Sequence, residues 1–460
     1  MQSASGAMDG VAPHVYAWMR THAERMQLQR LMQVAVNCNQ NNGDGMTVFE
    51  APEYIKQILS RLTENGHAAY LVGGCVRDAL MRRTVHDWDI ATSAPPVETA
   101  RIFDKTVLTG ERFGTVTVVL PEGMAEVTTF RSEGEYHDGR RPQNVEFVAT
   151  VDVDLSRRDF TMNAMAISAD GGLIDPFNGL DDINNKIVRC VGDPDARFNE
   201  DALRMFRAHR FSAELGFAIE SETLNAIRRS SGKAALISAE RVRVELEKTL
   251  MSQKPEAAGE MIRSGLLNRY LENKSKSPAG FERISMLPEE PTLRWSAFCS
   301  MLLDARLIKS VTGFLKELRL DKKTVKVCSA AMTIQCFPGD KTDIKRLLAK
   351  HGIDAVRCAA VACDVKSVER RASGSPTLER TDEVINSGEC FSLCDMAVSG
   401  SDLFSQGYFP GRELGETLGK LLDHVVEHPE DNTREILLDI ALNQIMPQTI
   451  SSKLCDPVKK

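Results

Sequence analysis

Asp87 and Asp89 stand two residues apart in His86-Asp87-Trp88-Asp89-Ile90, downstream of a glycine pair in Tyr70-Leu71-Val72-Gly73-Gly74-Cys75-Val76-Arg77-Asp78. On an extended segment alternate side chains share a face, so the two carboxylates point one way and Trp88 and Ile90 the other. Carboxylate oxygens on one face suit hard divalent cations. A turn stripped of side chains lets backbone N–H groups approach phosphates, and the helix start adds positive dipole. The chemistry suggested is nucleotidyl transfer, with Asp87 and Asp89 holding two Mg²⁺ ions against a triphosphate. Gly74 belongs to the phosphate turn, and Arg77, one helical turn on, could reach a phosphate with its fork of donors. Glu126 begins another predicted strand and is a candidate third carboxylate. Taken alone, an Asp-x-Asp is an ordinary solvated strand end, and a glycine pair is an ordinary turn.

These residues need a small mixed framework to position them. Ile55, Ile58, Leu59 and Leu62 recur at helical spacing over residues 52–65, and Gly66 follows as a stop. A short apolar strand over 68–72 leads into the glycines. Residues 76–81 read as helix, 88–91 as strand, and 97–103 as a helix opened by Pro95-Pro96. The runs 115–120 and 125–130 flank Pro121-Glu122-Gly123 as a hairpin. Strand signals then nearly vanish. Residues 199–215, 221–229, 239–251 and 257–267 have helical periodicity, and helix with short breaks continues to 446. The fold class expected is α+β: a small N-terminal head with a mixed sheet, then an all-α remainder.

The chain has 460 residues, enough for roughly three domains. With 42% hydrophobic and 26% charged residues it reads as an ordinary soluble protein. It has no run near the roughly 18 apolar residues of a membrane span. Its 11 cysteines form no regular framework, which favours reduced thiols and a cytoplasmic setting. A net charge of −7 argues mildly against bulk adhesion to nucleic acid but leaves local basic patches open. Residues 1–48 read as an extension, a short helix before an Asn- and Gly-rich linker.

Four ordered segments are Leu71-Val72-Gly73-Gly74-Cys75-Val76-Arg77-Asp78, His86-Asp87-Trp88-Asp89-Ile90, Arg157-Arg158-Asp159-Phe160-Thr161-Met162-Asn163-Ala164-Met165-Ala166 and Glu200-Asp201-Ala202-Leu203-Arg204-Met205-Phe206-Arg207. They resemble successive motifs of the bacterial class II tRNA nucleotidyltransferases, the CCA-adding enzymes of the poly(A) polymerase/tRNA nucleotidyltransferase family. The resemblance runs over residues 52–270. It resumes weakly at Gly400-Ser401-Asp402-Leu403 and Pro410-Gly411-Arg412-Glu413-Leu414-Gly415. It implies a polymerase-β-like nucleotidyltransferase head (49–175), a neck that recognises the nucleobase (176–268), a body (269–375) and a tRNA-binding tail (376–460). It also implies Mg²⁺ as cofactor and CTP, ATP and tRNA, held at acceptor end and elbow, as partners. One metal ion would activate the 3′-hydroxyl of the growing strand.

Arg158 resembles the family's nucleotide-contacting arginine. Asp175-Pro176-Phe177-Asn178-Gly179 is similar to the motif linking head to neck, with a structural role. On a helix starting at Asn199, Glu200, Asp201, Arg204 and Arg207 fall within roughly a 120° arc. The resemblance implies base selection by Asp201 and Arg204. A carboxylate accepts from an exocyclic amine and a guanidinium donates to a ring nitrogen, which suits cytosine and adenine and rejects uracil and guanine. Arg207 would brace the helix or touch phosphate. Arg210 matches the family's series about half a turn from Asp201, so its contact would be indirect. The plain alternative is a set of i, i+3 salt bridges. Arg131–Pro142 resembles the flexible loop used in switching from C to A addition. Arg228, Arg229, Lys233, Arg241 and Arg243 are candidates for tRNA phosphate.

The expected function is addition or repair of the 3′-terminal CCA of tRNA. Rivals are an enzyme adding only the terminal A, a bacterial poly(A) polymerase, and a catalytically silent tRNA-binding protein. The segment Thr109–Val116 is more similar to the CCA-adding pattern than to the arginine-rich polymerase pattern. The oligomeric state, monomer or homodimer, stays open.

Overall fold

The computed structural model describes residues 51–110, 114–133, 145–273, 280–366 and 375–445. The extension at 1–48, residues 111–113 and all of the switching loop but its first strand lie outside the described residues.

Helix α1 (Glu53–Glu64) buries Ile55, Ile58, Leu59 and Leu62, the stripe its spacing predicts. It stops where Gly66 takes φ +83°. Strand β1 (Ala69–Val72) runs into helix α2 (Gly74–Leu80), and β2 (Asp89–Thr92) is followed by α3 (Pro96–Ile102). Then come β3 (Thr106–Gly110), β4 (Thr115–Leu120), β5 (Gly123–Thr129), the short pair β6 (Arg131–Glu133) and β7 (Val145–Phe147), helix α4 (Val151–Ser156), β8 (Ala166–Ser168) and β9 (Leu173–Ile174).

Seven strands form one sheet in the order β3-β4-β5-β2-β1-β8-β9. Every pairing is antiparallel except β2 with β5, which sets Asp89 beside Glu126. Val72, Ala91, Phe130, Leu155 and Ala164 pack together beneath the sheet, so α4 and the residues after it are held against β1 and β2. Strand β2 begins at Asp89, so Asp87 lies in the exposed approach to the strand rather than on it.

The rest is helical apart from a small parallel pair, β10 (Ile187–Val188) with β11 (Ala218–Ile219). Its helices include α5 (Gly179–Asn184), α6 (Pro194–Glu200), α7 (Leu203–Leu215), α8 (Ser221–Ser230), α9 (Ala239–Leu250) and α10 (Ala257–Arg263). The single helix expected from Asn199 is two. Asp201 is extended (φ −141°, ψ 106°), and its Oδ1 accepts the Leu203 N–H at 2.9 Å. An Asp side chain closing on the backbone two residues ahead offers the chain an alternative to the helix, and here it starts a new one.

Beyond residue 280 the helix Pro291–Asp304 packs on Ile353–Lys366, with Ser296 and Ser300 donating to the carbonyls of Cys358 and Ala362. The buried Arg294 donates to the carbonyls of Leu250, Ser252, Leu287 and Pro288, tying this layer to the end of α9. A last cluster around Leu403, Tyr408, Leu421, Val425 and Leu437 closes the described chain. No helix among the described residues is long and apolar enough to cross a membrane.

Candidate active site

Nine of the residues singled out from the sequence, Gly74, Arg77, Asp87, Asp89, Arg158, Asp201, Arg204, Arg207 and Arg210, line one cavity of about 630 Å³. The β1–α2 turn forms one wall. Gly73 holds φ +78°, ψ −130°, and a Cβ there would stand 2.7 Å from Arg158 Nη1 and 3.8 Å from Asp89 Oδ2. A glycine is required on both counts, the conformation and the space.

Asp89 is half-buried at the strand start. Burial pushes its carboxyl upward, and Glu126 and Asp87 push it further against the opposing pull of Arg158. Carboxylate oxygens that desolvate and repel one another in this way fit a divalent cation, which offsets both penalties. Among the described residues no group of three or more acidic, histidine or cysteine side chains converges for a metal. Glu126 neighbours Asp89 across the sheet without lining the cavity, and Asp87 and Asp89 are the lining carboxylates at this end that could hold a metal.

Arg158 faces both the turn and the carboxylates. Its Nη2 donates to Asp154 at 3.2 Å, while Nε is buried with no hydrogen-bond partner among the described residues. Asp154 is buried beneath it. Burial raises its carboxyl, but Arg157 and Arg158 outweigh that and hold it below the usual range.

Arg77 lines the cavity with its guanidinium engaged by protein partners. Its Nε and Nη2 grip Asp78 at 3.0 and 2.9 Å, and Nη1 donates to Asn163 Oδ1 at 2.7 Å. Asn163 Nδ2 donates in turn to Asp159 Oδ1 at 3.1 Å, and Asp159 Oδ2 accepts from Arg207 Nε at 2.7 Å. A chain Asp78–Arg77–Asn163–Asp159–Arg207 thus joins the glycine turn to α7. Arg210 is held by Glu245 at 2.6 Å and Glu214 at 2.7 Å, away from Asp201. The ring of Phe211 lies under three guanidinium groups, those of Arg210, Arg77 and Arg207, at 4.0, 5.1 and 5.2 Å.

Arg204 Nη1 reaches Glu200 at 2.5 Å and the Arg197 carbonyl at 3.3 Å, and Nη2 reaches the Arg157 carbonyl at 3.0 Å. Asp201 Oδ2 accepts from Arg241 Nη2 at 2.7 Å. In place of the i, i+3 salt bridges of the plain alternative, Arg204 pairs with Glu200 at i, i+4, Asp201 with Arg241 and Arg207 with Asp159. Asn163, Asp159, Phe211 and Arg241 also line the cavity and were missed as site residues. Asp159 and Asn163 stood inside the Arg157–Ala166 segment, so the signal for them was a polar pair, i and i+4, among apolar residues. Of the supposed tRNA arginines, Arg229 pairs with Asp195 and Glu222 at 2.6 Å each, and Arg243 lies 3.8 Å from Glu247. Asp175 accepts from the N–H groups of Gly179 and Leu180 at 2.7 and 2.9 Å, capping α5.

A mixed sheet carrying a glycine turn and paired aspartates, with arginines converging from a helical neighbour, is the architecture of a nucleotidyltransferase. Residues 69–189 match the poly A polymerase head domain, 216–273 the RNA and SrmB-binding site of polymerase A, and 288–441 the tRNA nucleotidyltransferase domain 2. A CCA-adding enzyme of Bacillus velezensis is 38% identical over 359 residues, spanning 76% of this chain and 88% of the relative. That of Bacillus subtilis is 40% identical over 353 residues, spanning 76% and 87%. The crystal structure of the Bacillus stearothermophilus CCA-adding enzyme in complex with CTP has a TM-score of 0.70 and 31% identity, covering 88% of this chain and all of that one. A Thermotoga maritima CCA-adding enzyme complexed with tRNA, at 20% identity and TM-score 0.58, shares the fold over 85% of this chain and 96% of its own. The chain belongs to the family of CCA-adding enzymes.

Proposed function

We propose that this protein adds or repairs the 3′-terminal CCA of tRNA from CTP and ATP, without a nucleic-acid template, in the cytoplasm. The observation that carries the reading is the convergence on one cavity of two aspartates, a side-chain-free turn and Arg158, whose Nε has no partner among the described residues. Asp87 and Asp89 would hold Mg²⁺, which when bound supplies a hydroxyl activated for attack and charge stabilisation for the departing pyrophosphate. The chain's own residues do the rest. Gly73 and Gly74 let the triphosphate lie against backbone, and Arg158 donates to it from the opposite wall. Asp201 accepts from the exocyclic amine of cytosine or adenine, and Arg204 donates to the adjacent ring nitrogen. Uracil and guanine present a carbonyl where the carboxylate stands and are turned away. Arg77, Asn163 and Asp159 fix the turn relative to α7, so phosphate and base are held at one separation. Basic side chains of the helical part, following the division into neck, body and tail, would take the tRNA by its phosphates.

The test is incubation with tRNA lacking its whole CCA end and with separately labelled CTP and ATP. Two C and one A should be incorporated, and Asp87→Ala should abolish incorporation while tRNA binding persists. Incorporation of A alone, or of a long A tail, would overturn the reading in favour of an A-adding enzyme or a poly(A) polymerase. Activity retained by Asp87→Ala would remove Asp87 from the metal pair.

A further inference from the structure

We propose that Phe211 is a positioning residue for nucleotide binding. Its ring joins Arg77 on α2 to α7 and so fixes the distance between the phosphate turn and the residue that meets the base. The inference rests on the reading of Gly73, Gly74 and Arg158 as the triphosphate wall and of Asp201 and Arg204 as readers of the base. Phe211 stands on α7, about two helical turns past Arg204. It is 4% exposed, lines the cavity and meets Phe160 edge-on with ring centres 5.7 Å apart. The Cζ atoms of Arg210, Arg77 and Arg207 stand 4.0, 5.1 and 5.2 Å from its centre. Arg207 and Arg210 belong to the same helix as the ring. Of the three, only Arg77 belongs to α2, the helix that the phosphate turn opens, so its contact is the one that crosses between the two elements.

Each of these guanidinium groups uses its edge on acceptors. Arg77 gives Nε and Nη2 to Asp78 and Nη1 to Asn163. Arg207 gives Nε and Nη2 to Asp159, and Arg210 gives Nε to Glu245 and Nη1 to Glu214. What remains of a guanidinium so engaged is its flat face, and an aromatic ring attracts that face without consuming a donor. A leucine at 211 would fill much of the same space and offer no such surface. The nucleotide spans both elements, with its phosphates on the turn that opens α2 and its base at the start of α7. When the tie between α2 and α7 weakens, other separations become populated. Apparent affinity for a ligand that bridges the two then falls with the competent fraction. A ligand confined to the turn and Arg158 is indifferent to the change.

The experiment places phenylalanine carrying one, two or three ring fluorines at position 211 of the full-length protein. Fluorine nearly preserves the size of the ring and drains negative charge from its face step by step, so packing and cation attraction are separated. Affinities for CTP, for ATP and for inorganic tripolyphosphate are measured by titration. One cation–π contact corresponds to roughly a two- to fivefold change in an equilibrium. CTP and ATP affinity should therefore fall stepwise to that extent across the series, while tripolyphosphate affinity stays constant. In an Arg77→Met background the fluorines should leave CTP affinity unchanged, because the contact that crosses is already gone. CTP affinity that is constant across the series in the Arg77 protein overturns the inference. An equal fall for tripolyphosphate, or a fall that persists in Arg77→Met, also overturns it. Failure of the unsubstituted protein to bind CTP and ATP overturns the functional reading and this inference together.

Discussion

Replacing Asp159 by asparagine keeps its shape and removes its charge. The carboxylate is 8% exposed and accepts from Arg207 Nε and Nη2, Asn163 Nδ2 and the Phe160 N–H. Burial alone would raise its pKa, but Arg207 and Asn163 outweigh burial and bring it from 3.8 to about 2. At about 1.4 kcal/mol per decade, that gap corresponds to roughly 2–3 kcal/mol of stability at neutral pH. The folded-state pKa is depressed, so this contribution is complete above the unfolded value and fades as pH falls from about 4 through 2. By the same linkage, roughly half of it remains at pH 3. Asp159→Asn also turns an amide N–H toward Arg207, which is only one-third exposed. The total expected at pH 7 is therefore about 2–3 kcal/mol, short of the figure for a fully buried pair. Urea unfolding of both proteins at pH 7, 4 and 3 reads this directly, and the difference should shrink by about 1 kcal/mol between pH 7 and pH 3. A difference that is constant with pH would show that the role of Asp159 is not electrostatic and would refute the reasoning.

Two further outcomes follow from the same geometry. Gly73→Ala should cost about 1–3 kcal/mol in strain and, because the new methyl would stand 2.7 Å from Arg158 Nη1, weaken CTP binding in a titration; wild-type affinity would sink the view that the turn and Arg158 share one binding surface. His209 is buried, its Nε2 has no partner among the described residues, and burial lowers its pKa from 6.5 to about 4. The unfolded chain takes up a proton there between pH 6.5 and 4 while the folded chain does not, so stability falls across that window by roughly 3 kcal/mol. His209→Leu should flatten this part of the stability profile, and an unchanged slope would contradict the assignment.

What was legible in the sequence was local. The Asp-x-Asp, the glycine turn and the 115–130 hairpin are written in neighbouring residues, and their elements appear within a residue or two of where spacing puts them. The stripe on α1 is equally plain, because helix period and burial agree. What was hidden depended on partners far along the chain. Arg77 meets Asn163 86 residues away, and Arg241 meets Asp201 across 40. No periodicity reports such pairs. The break at Asp201 was hidden for another reason. Helical spacing continues across it, and a single side-chain hydrogen bond to Leu203 decides against the continuous helix. Nine residues taken from motifs and resemblance share one cavity, yet neither spacing nor resemblance could say that the Arg77 guanidinium is engaged by Asp78 and Asn163.

The chain Asp78–Arg77–Asn163–Asp159–Arg207 also bears on how the protein can change over generations. Asn163 must present its carbonyl to Arg77 and its amide to Asp159, a polarity that neither an aspartate nor a lysine reproduces. Aspartate at 163 would satisfy Arg77 and repel Asp159, and reversing either end strands a charge beside its former partner. Every single step away from the present arrangement therefore passes through a less stable protein, while paired steps need not. Such a strip is inherited as a block, and its members should replace one another in concert or hardly at all.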